Sequence, residues 1–149
     1  MAGKIHHMTR KYGGKQSSFS QGLQNYRDRT VQQLEAIFHQ VVIDIGTSLI
    51  VLSPVDTGRF KGNWQVTVGS PANHSLNVYD KVGHETIARI TAEVAQLTLG
   101  QTAYISNQII YGVPLEYGHS QQAPNGFVRI TLARFDEIVK EAVLKVGNE

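Results

Sequence analysis

Positions Leu23, Tyr26, Thr30, Leu34, Ile37, Phe38, Val41, Ile45, Leu49 and Leu52 recur at three- and four-residue steps, the period of an amphipathic helix. The pattern predicts a helix over residues 19–52, on the order of 50 Å long if unbroken. Ser18 and Gln21 have capping-box spacing and mark its expected start. Pro54 marks its end, because the proline ring clashes with a continuing turn. Between Val41 and Leu52 the stripe widens, with Val42, Ile43, Ile50 and Val51 adding apolar surface on further faces. So wide a surface needs cover on several sides. Either the rest of the domain or a second subunit supplies it.

The period then changes. Asn63 to Gly69 alternates polar and apolar residues, with Trp64, Val66 and Val68 on one face, as in a half-buried strand. Residues 70–77 read as loop. A weaker helical period follows over 81–97, with Asp80 as its expected N-cap. Residues 102–107 read as a second strand, and Ile110 to Leu115 as an extended segment pairing nearby. Glu116 to Gly126 is polar and rich in Gly, Gln and Ser. A last helix is expected from near Pro124 to just before Gly147, with Val128, Leu132, Phe135, Ile138, Val139, Ala142 and Val146 as its apolar stripe. These elements predict an α+β fold, an antiparallel sheet packed against a long N-terminal helix and a C-terminal helix. An extended basic arm over residues 1–18 precedes a single domain over 19–149.

Composition narrows the chemistry. With 149 residues and 41% hydrophobic content, one core is expected. The chain has no cysteine, so it makes no disulfide, thiolate metal site or cysteine nucleophile. No uninterrupted apolar run approaches the ~20 residues that span a bilayer, and the N-terminus lacks the apolar core of a secretory signal. The net charge of +2 is unevenly placed. Lys4, Arg10, Lys11 and Lys15 lie in the arm with no acid among them. Without those four the remaining chain is slightly acidic, so the basic character belongs to the arm, which suits contact with nucleic acid or an acidic surface.

Few motifs suggest catalysis. Asp56-Thr57-Gly58 matches the aspartic-protease triplet, but a long helix and a proline precede it, where that chemistry needs a strand end facing a second aspartate. An Asp–Gly turn is the plainer expectation. The six histidines show no helical metal-ligand spacing, and no phosphate-binding or nucleophile-elbow motif occurs. Glu116 and His119 lie within reach of one another across a turn, without a nucleophile beside them. Trp64 and Tyr117 are aromatic platforms of the kind that stack on bases, although the strand pattern sends Trp64 into the core.

Five segments in order carry a resemblance. Ser53-Pro54-Val55-Asp56-Thr57-Gly58-Arg59-Phe60 is followed by Asn63-Trp64, then by Tyr104-Ile105-Ser106-Asn107. Next come Tyr111-Gly112-Val113-Pro114-Leu115-Glu116-Tyr117-Gly118-His119-Ser120 and Gln122-Ala123-Pro124-Asn125-Gly126-Phe127-Val128-Arg129. Over residues 20–146 this series resembles the neck or tail-completion family of long-tailed bacteriophages, the head–tail connector or minor tail proteins. The resemblance implies a structural virion protein, without catalytic residue, metal or cofactor. It implies a closed ring of about six copies that completes the tail and joins it to the head. Tail tube or terminator proteins and portal or head-completion proteins are the implied neighbours, and genomic DNA passes through the lumen. No membrane is involved; the implied location is the virion, and the host cytoplasm during assembly.

In that frame Pro54, Asp56, Thr57 and Gly58 set the change of direction between helix and sheet. Tyr117, Gly118, His119, Gln121, Gln122, Pro124 and Arg129 are the expected interface residues. A tail terminator or head-completion ring is the alternative within the same class. A DNA-binding module using Lys4, Arg10, Lys11 and Lys15 is the alternative outside it, and predicts binding that collapses with salt.

Overall fold

The computed structural model describes the backbone of residues 2–148 and the side chains of residues 18–148. Helices α1 (Ala2–Leu52) and α2 (Arg59–Gly62) lead into strand β1 (Trp64–Val68). Helix α3 (His84–Val94) and strand β2 (Ala103–Asn107) follow, then α4 (Gly112–Glu116), α5 (Val128–Ala133) and α6 (Phe135–Gly147). The fold is α+β: a long N-terminal helix, an antiparallel two-stranded sheet and a C-terminal helix. The chain divides into two compact units, Met1–Leu34 and Glu35–Glu149.

The bounds of α1 carry the helix through the segment expected as an extended arm, so Ser18 lies inside the helix and is not its cap. Lysine, arginine and glutamine are good helix formers, and the three arm glycines each cost about 1 kcal/mol, less than breaks a helix already nucleated. The side chains of Lys4, Arg10, Lys11 and Lys15 lie outside the described residues. In the first unit, Phe19, Leu23, Tyr26, Val31 and Leu34 are exposed.

In the second unit, Val42, Leu49 and Ile50 of α1 are buried with Phe60, Trp64, Val66, Ile90, Val94, Leu97 and Phe127. Gly46 lets Ile90 approach, since a Cβ there would lie 3.3 Å from its side chain. Val51, by contrast, is exposed. Asp44 accepts from Gln40 and from Lys145 of α6, so the polar side of the helix is tied down too. One finding amends the sequence reading. Helix α1 contains an 18-residue window of mean hydropathy 1.5, long and apolar enough to cross a membrane by length and composition. Counting uninterrupted runs missed it, because Asp44 and other polar residues punctuate the stripe.

Ser53 closes α1. Its hydroxyl donates to Leu49 O and accepts from the Trp64 indole N–H at 2.8 Å, so the helix end and the start of β1 share one buried oxygen. Trp64 and Val66 are buried while Val68 is exposed, and the Trp64 ring meets Phe60 and Phe127 edge-on. The sheet register pairs Trp64 with Asn107 and Val68 with Ala103. The outer edge of β1 is closed by α3: Val66 N–H donates to Glu93, and Arg89 donates to the carbonyls of Gly62 and Trp64.

Three local expectations are corrected. Ile110 to Leu115 is expected as extended, but Gly112–Glu116 is helix α4; Pro114 sits in its first turn, where a missing N–H is tolerated. The last helix is two, α5 and α6, meeting at Arg134, and α5 starts at Val128, four residues after Pro124. Leu132 of its stripe is exposed, while Thr131 is buried, donating to Phe127 O and sharing a hydrogen bond with Ser48 of α1. Asp80 caps α3 from outside, accepting from the Gly83 and Thr86 N–H groups and the Thr86 hydroxyl.

Candidate functional site

The segments that carry the family resemblance meet at one corner of the second unit. The chain leaves α1 through Pro54 and turns at Gly58, whose φ is +87°. Only glycine fits there: a Cβ would lie 2.6 Å from backbone atoms of Asp80 and Lys81. Gly58 O accepts from Gly62 N–H and Asp80 N–H, so one carbonyl joins the turn to α2 and to the segment that opens α3. The Thr57 hydroxyl accepts from Arg59 N–H, and Asp56 is exposed.

Gln122 reaches across 67 residues of sequence to the same turn. Its Oε1 accepts from Val55 N–H at 2.8 Å and its Nε2 donates to Val55 O at 2.9 Å. The side-chain amide thus pairs with Val55 as a second peptide group would. Tyr111, Pro114, Leu115, His119 and Ser120 complete a cavity of about 430 Å³ over Pro54–Phe60, in which Asp56 is the one lining carboxylate among the described residues. Among the described residues no second acid lines that cavity.

Glu116 is the centre of a second lock. One carboxylate oxygen accepts from Phe127 N–H and Val128 N–H, both at 2.8 Å. The other accepts from Arg129 N–H at 3.0 Å and Arg129 Nε at 3.1 Å, while Arg129 Nη2 donates to Glu116 O at 2.7 Å. Burial alone would raise the carboxyl, but these hydrogen bonds outweigh it and hold Glu116 below its ordinary value of 4.5. The anion caps the first turn of α5, where the orphan N–H groups collect. Gly126, at φ +82°, makes the approach possible, since a Cβ would lie 2.5 Å from a Glu116 oxygen. Gly118, at φ +85°, passes equally close to Pro124 O.

The Arg129 guanidinium lies 5.2 Å from the centroid of the Tyr117 ring, whose outer face remains open to solvent. Of the expected interface residues, Tyr117 and Arg129 therefore act as a stacked pair. Gly118, Pro124 and Gln122 hold the loop, and His119 lines the cavity, its N–H donating to Pro114 O. Gln121 is exposed, with no hydrogen bond among the described residues. Glu116 is committed to Arg129 and the α5 backbone and makes no hydrogen bond with His119. Sequence reasoning placed Glu116 in a polar loop and missed its role; the signal was a lone acid followed by Gly126-Phe127-Val128-Arg129 at a helix start. It also missed Asn63 and Asn107, whose amides donate to Arg59 O and Phe60 O and tie α2 to both strands.

Among the described residues no three His, Asp or Glu side chains come together as a metal set. No protein-family model matches the chain, and no curated protein or solved structure matches it.

Proposed function

We propose that this chain is a structural subunit of the bacteriophage neck, one copy in a ring that completes the tail and joins it to the head while DNA passes through the lumen. The observation that carries this reading is how the corner uses its polar groups. Gln122, Glu116 and Arg129 spend their donors and acceptors on backbone groups of the two motif segments. Such a corner holds a surface in shape. A reacting site instead keeps its polar groups aimed at a substrate. Tyr117, Tyr111 and Ile110 stand exposed on that surface, as anchors for a neighbouring protein.

Phe19, Leu23, Tyr26 and Leu34 support the ring. An isolated helix is marginal in water and gains stability from an apolar face that another element covers. Copies of the chain are the cover the resemblance suggests. The axial neighbours are tail tube or terminator proteins on one side and portal or head-completion proteins on the other. The chain acts without cofactor and is not an enzyme, in the virion after assembly in the host cytoplasm.

Complementation tests this. Tyr117→Ala removes an exposed ring and is expected to leave the protein folded while lowering the yield of complete particles. Wild-type yield from Tyr117→Ala and Gln122→Ala proteins would remove the corner from the assembly surface.

A further inference from the structure

The turn that leads into α5 brings two reactive groups together. Of the seven asparagines, only Asn125 precedes a glycine. Asparagine is a chemically labile side chain, and a following glycine puts no Cβ in the way of the backbone nitrogen that attacks it. In that reaction the Gly126 nitrogen bonds to Asn125 Cγ. Its proton passes to the side-chain amide nitrogen, the Cγ–Nδ2 bond breaks, and ammonia leaves a five-membered succinimide. Water then opens the ring at either carbonyl, giving aspartate or isoaspartate at position 125. Water is the one co-reactant, and nothing is oxidised or reduced.

The fold treats the two groups differently. Asn125 is exposed, and among the described residues its side-chain amide has no hydrogen-bond partner. The Gly126 nitrogen is engaged. Its N–H donates to Ala123 O at 3.1 Å and closes the turn Ala123–Gly126, with Pro124 and Asn125 at the two central positions. Gly126 itself is buried at φ +82°, with Glu116 pressed against it: a Cβ would lie 2.5 Å from a carboxylate oxygen and 2.6 Å from Glu116 O. Glu116 is held there by the N–H groups of the next three residues, Phe127, Val128 and Arg129. The carbonyl to be attacked stands in water, and the attacking nitrogen is locked behind Glu116.

We infer that Asn125–Gly126 is a site of spontaneous deamidation that the Glu116 clamp holds shut. To react, the Gly126 nitrogen must leave Ala123 O and swing towards the Asn125 side chain. Gly126 cannot turn in that way while it is gripped between the turn and Glu116, so modification proceeds from a locally opened corner. The change runs one way. Either product sets a carboxylate next to the residue that Glu116 touches, and isoaspartate also lengthens the backbone by one carbon just ahead of α5. Both oppose reclosing of the clamp. The site stands independently of the ring reading.

The test incubates the full-length protein at mildly alkaline pH and follows Asn125 by peptide mass mapping, with a synthetic peptide of residues 120–131 as the unfolded reference. The peptide is expected to deamidate at Asn125, and the folded protein about tenfold more slowly or less. Unfolding the protein in urea is expected to bring its rate up to that of the peptide. Glu116→Ala is expected to raise the rate in the folded protein by about tenfold. Glu116→Gln, a milder change that keeps one carbonyl acceptor, is expected to fall between Glu116→Ala and wild type. Glu93→Ala loosens the α3 side of the sheet by removing the acceptor of Val66 N–H, and is expected to leave the Asn125 rate as in wild type. A peptide that stays unmodified, or a folded wild type as fast as the peptide, overturns the guarded site. Equal rates for wild type and the Glu116 variants, or an equal rise in Glu93→Ala, overturn the clamp as its guard.

Discussion

Replacing Glu116 by alanine removes the anion at the start of α5. The two bonds to Phe127 and Val128 N–H are partly buried, and those to Arg129 are exposed. Exposed Arg129 regains water, so its ion pair contributes little. The two partly buried amides lose a charged acceptor, and the helix loses its cap. A lost cap costs about 1–2 kcal/mol, and each amide left poorly hydrated adds about 1 kcal/mol, for a total near 3 kcal/mol. Trp64, the single tryptophan, is buried against Phe127, so its fluorescence reports unfolding of this corner. In urea the midpoint is expected to fall by about 1–2 M with little change in slope. Acid provides a second readout. The folded carboxyl is held below 4.5, so its contribution is present above that value and is lost as pH falls through the lower folded value. The wild-type advantage over Glu116→Ala therefore shrinks in strong acid. A midpoint within about 0.5 kcal/mol of wild type at neutral pH, or a difference that does not shrink in acid, would refute the clamp.

The other predictions concern the same frame. Gly58→Ala must push into the Asp80–Lys81 backbone at positive φ, whereas Gly69→Ala, at φ +79° with open space around it, meets only the backbone preference. Gly69→Ala is expected to cost about 1 kcal/mol and Gly58→Ala clearly more, or to prevent folding, by thermal unfolding. Gln122→Ala loses two exposed bonds to Val55 and is expected to cost about 1 kcal/mol in the urea midpoint. Asp80, where the hydrogen bonds from Gly83 and Thr86 outweigh the opposing effect of burial, is held below its ordinary 3.8. Its contribution is present above pH 3.8 and is lost as pH falls through the folded value, so Asp80→Asn is expected to cost about 2 kcal/mol at neutral pH and to flatten that acid limb of stability.

Much of the second unit was legible because its elements obey simple periods. Pro54 and the three–four spacing place the end of α1 correctly, and alternation around Trp64 places β1. The misreadings have physical causes. Ile109-Ile110-Tyr111 looks like strand by residue type, yet Ile110 is almost fully exposed, and the chain turns into α4 through Gly112. That glycine is needed because a Cβ would lie 2.9 Å from the Phe60 ring. The arm was read from its glycines, which lower helix propensity without forbidding a helix. The corner itself is a different matter. Gln122 and Val55 are distant in sequence and share no period, so only the joint occurrence of the two motif segments hinted that they meet. Glu116 is placed by a cap whose partners are backbone groups, which leave no mark in residue identity beyond Gly126.

The most direct test of the neck reading is the mass of the purified full-length protein by light scattering, alone and with isolated tails that lack it. A defined ring, or a monomer that joins those tails and makes them competent to receive heads, is the predicted result. A stable monomer or dimer that leaves the tails unchanged would contradict it.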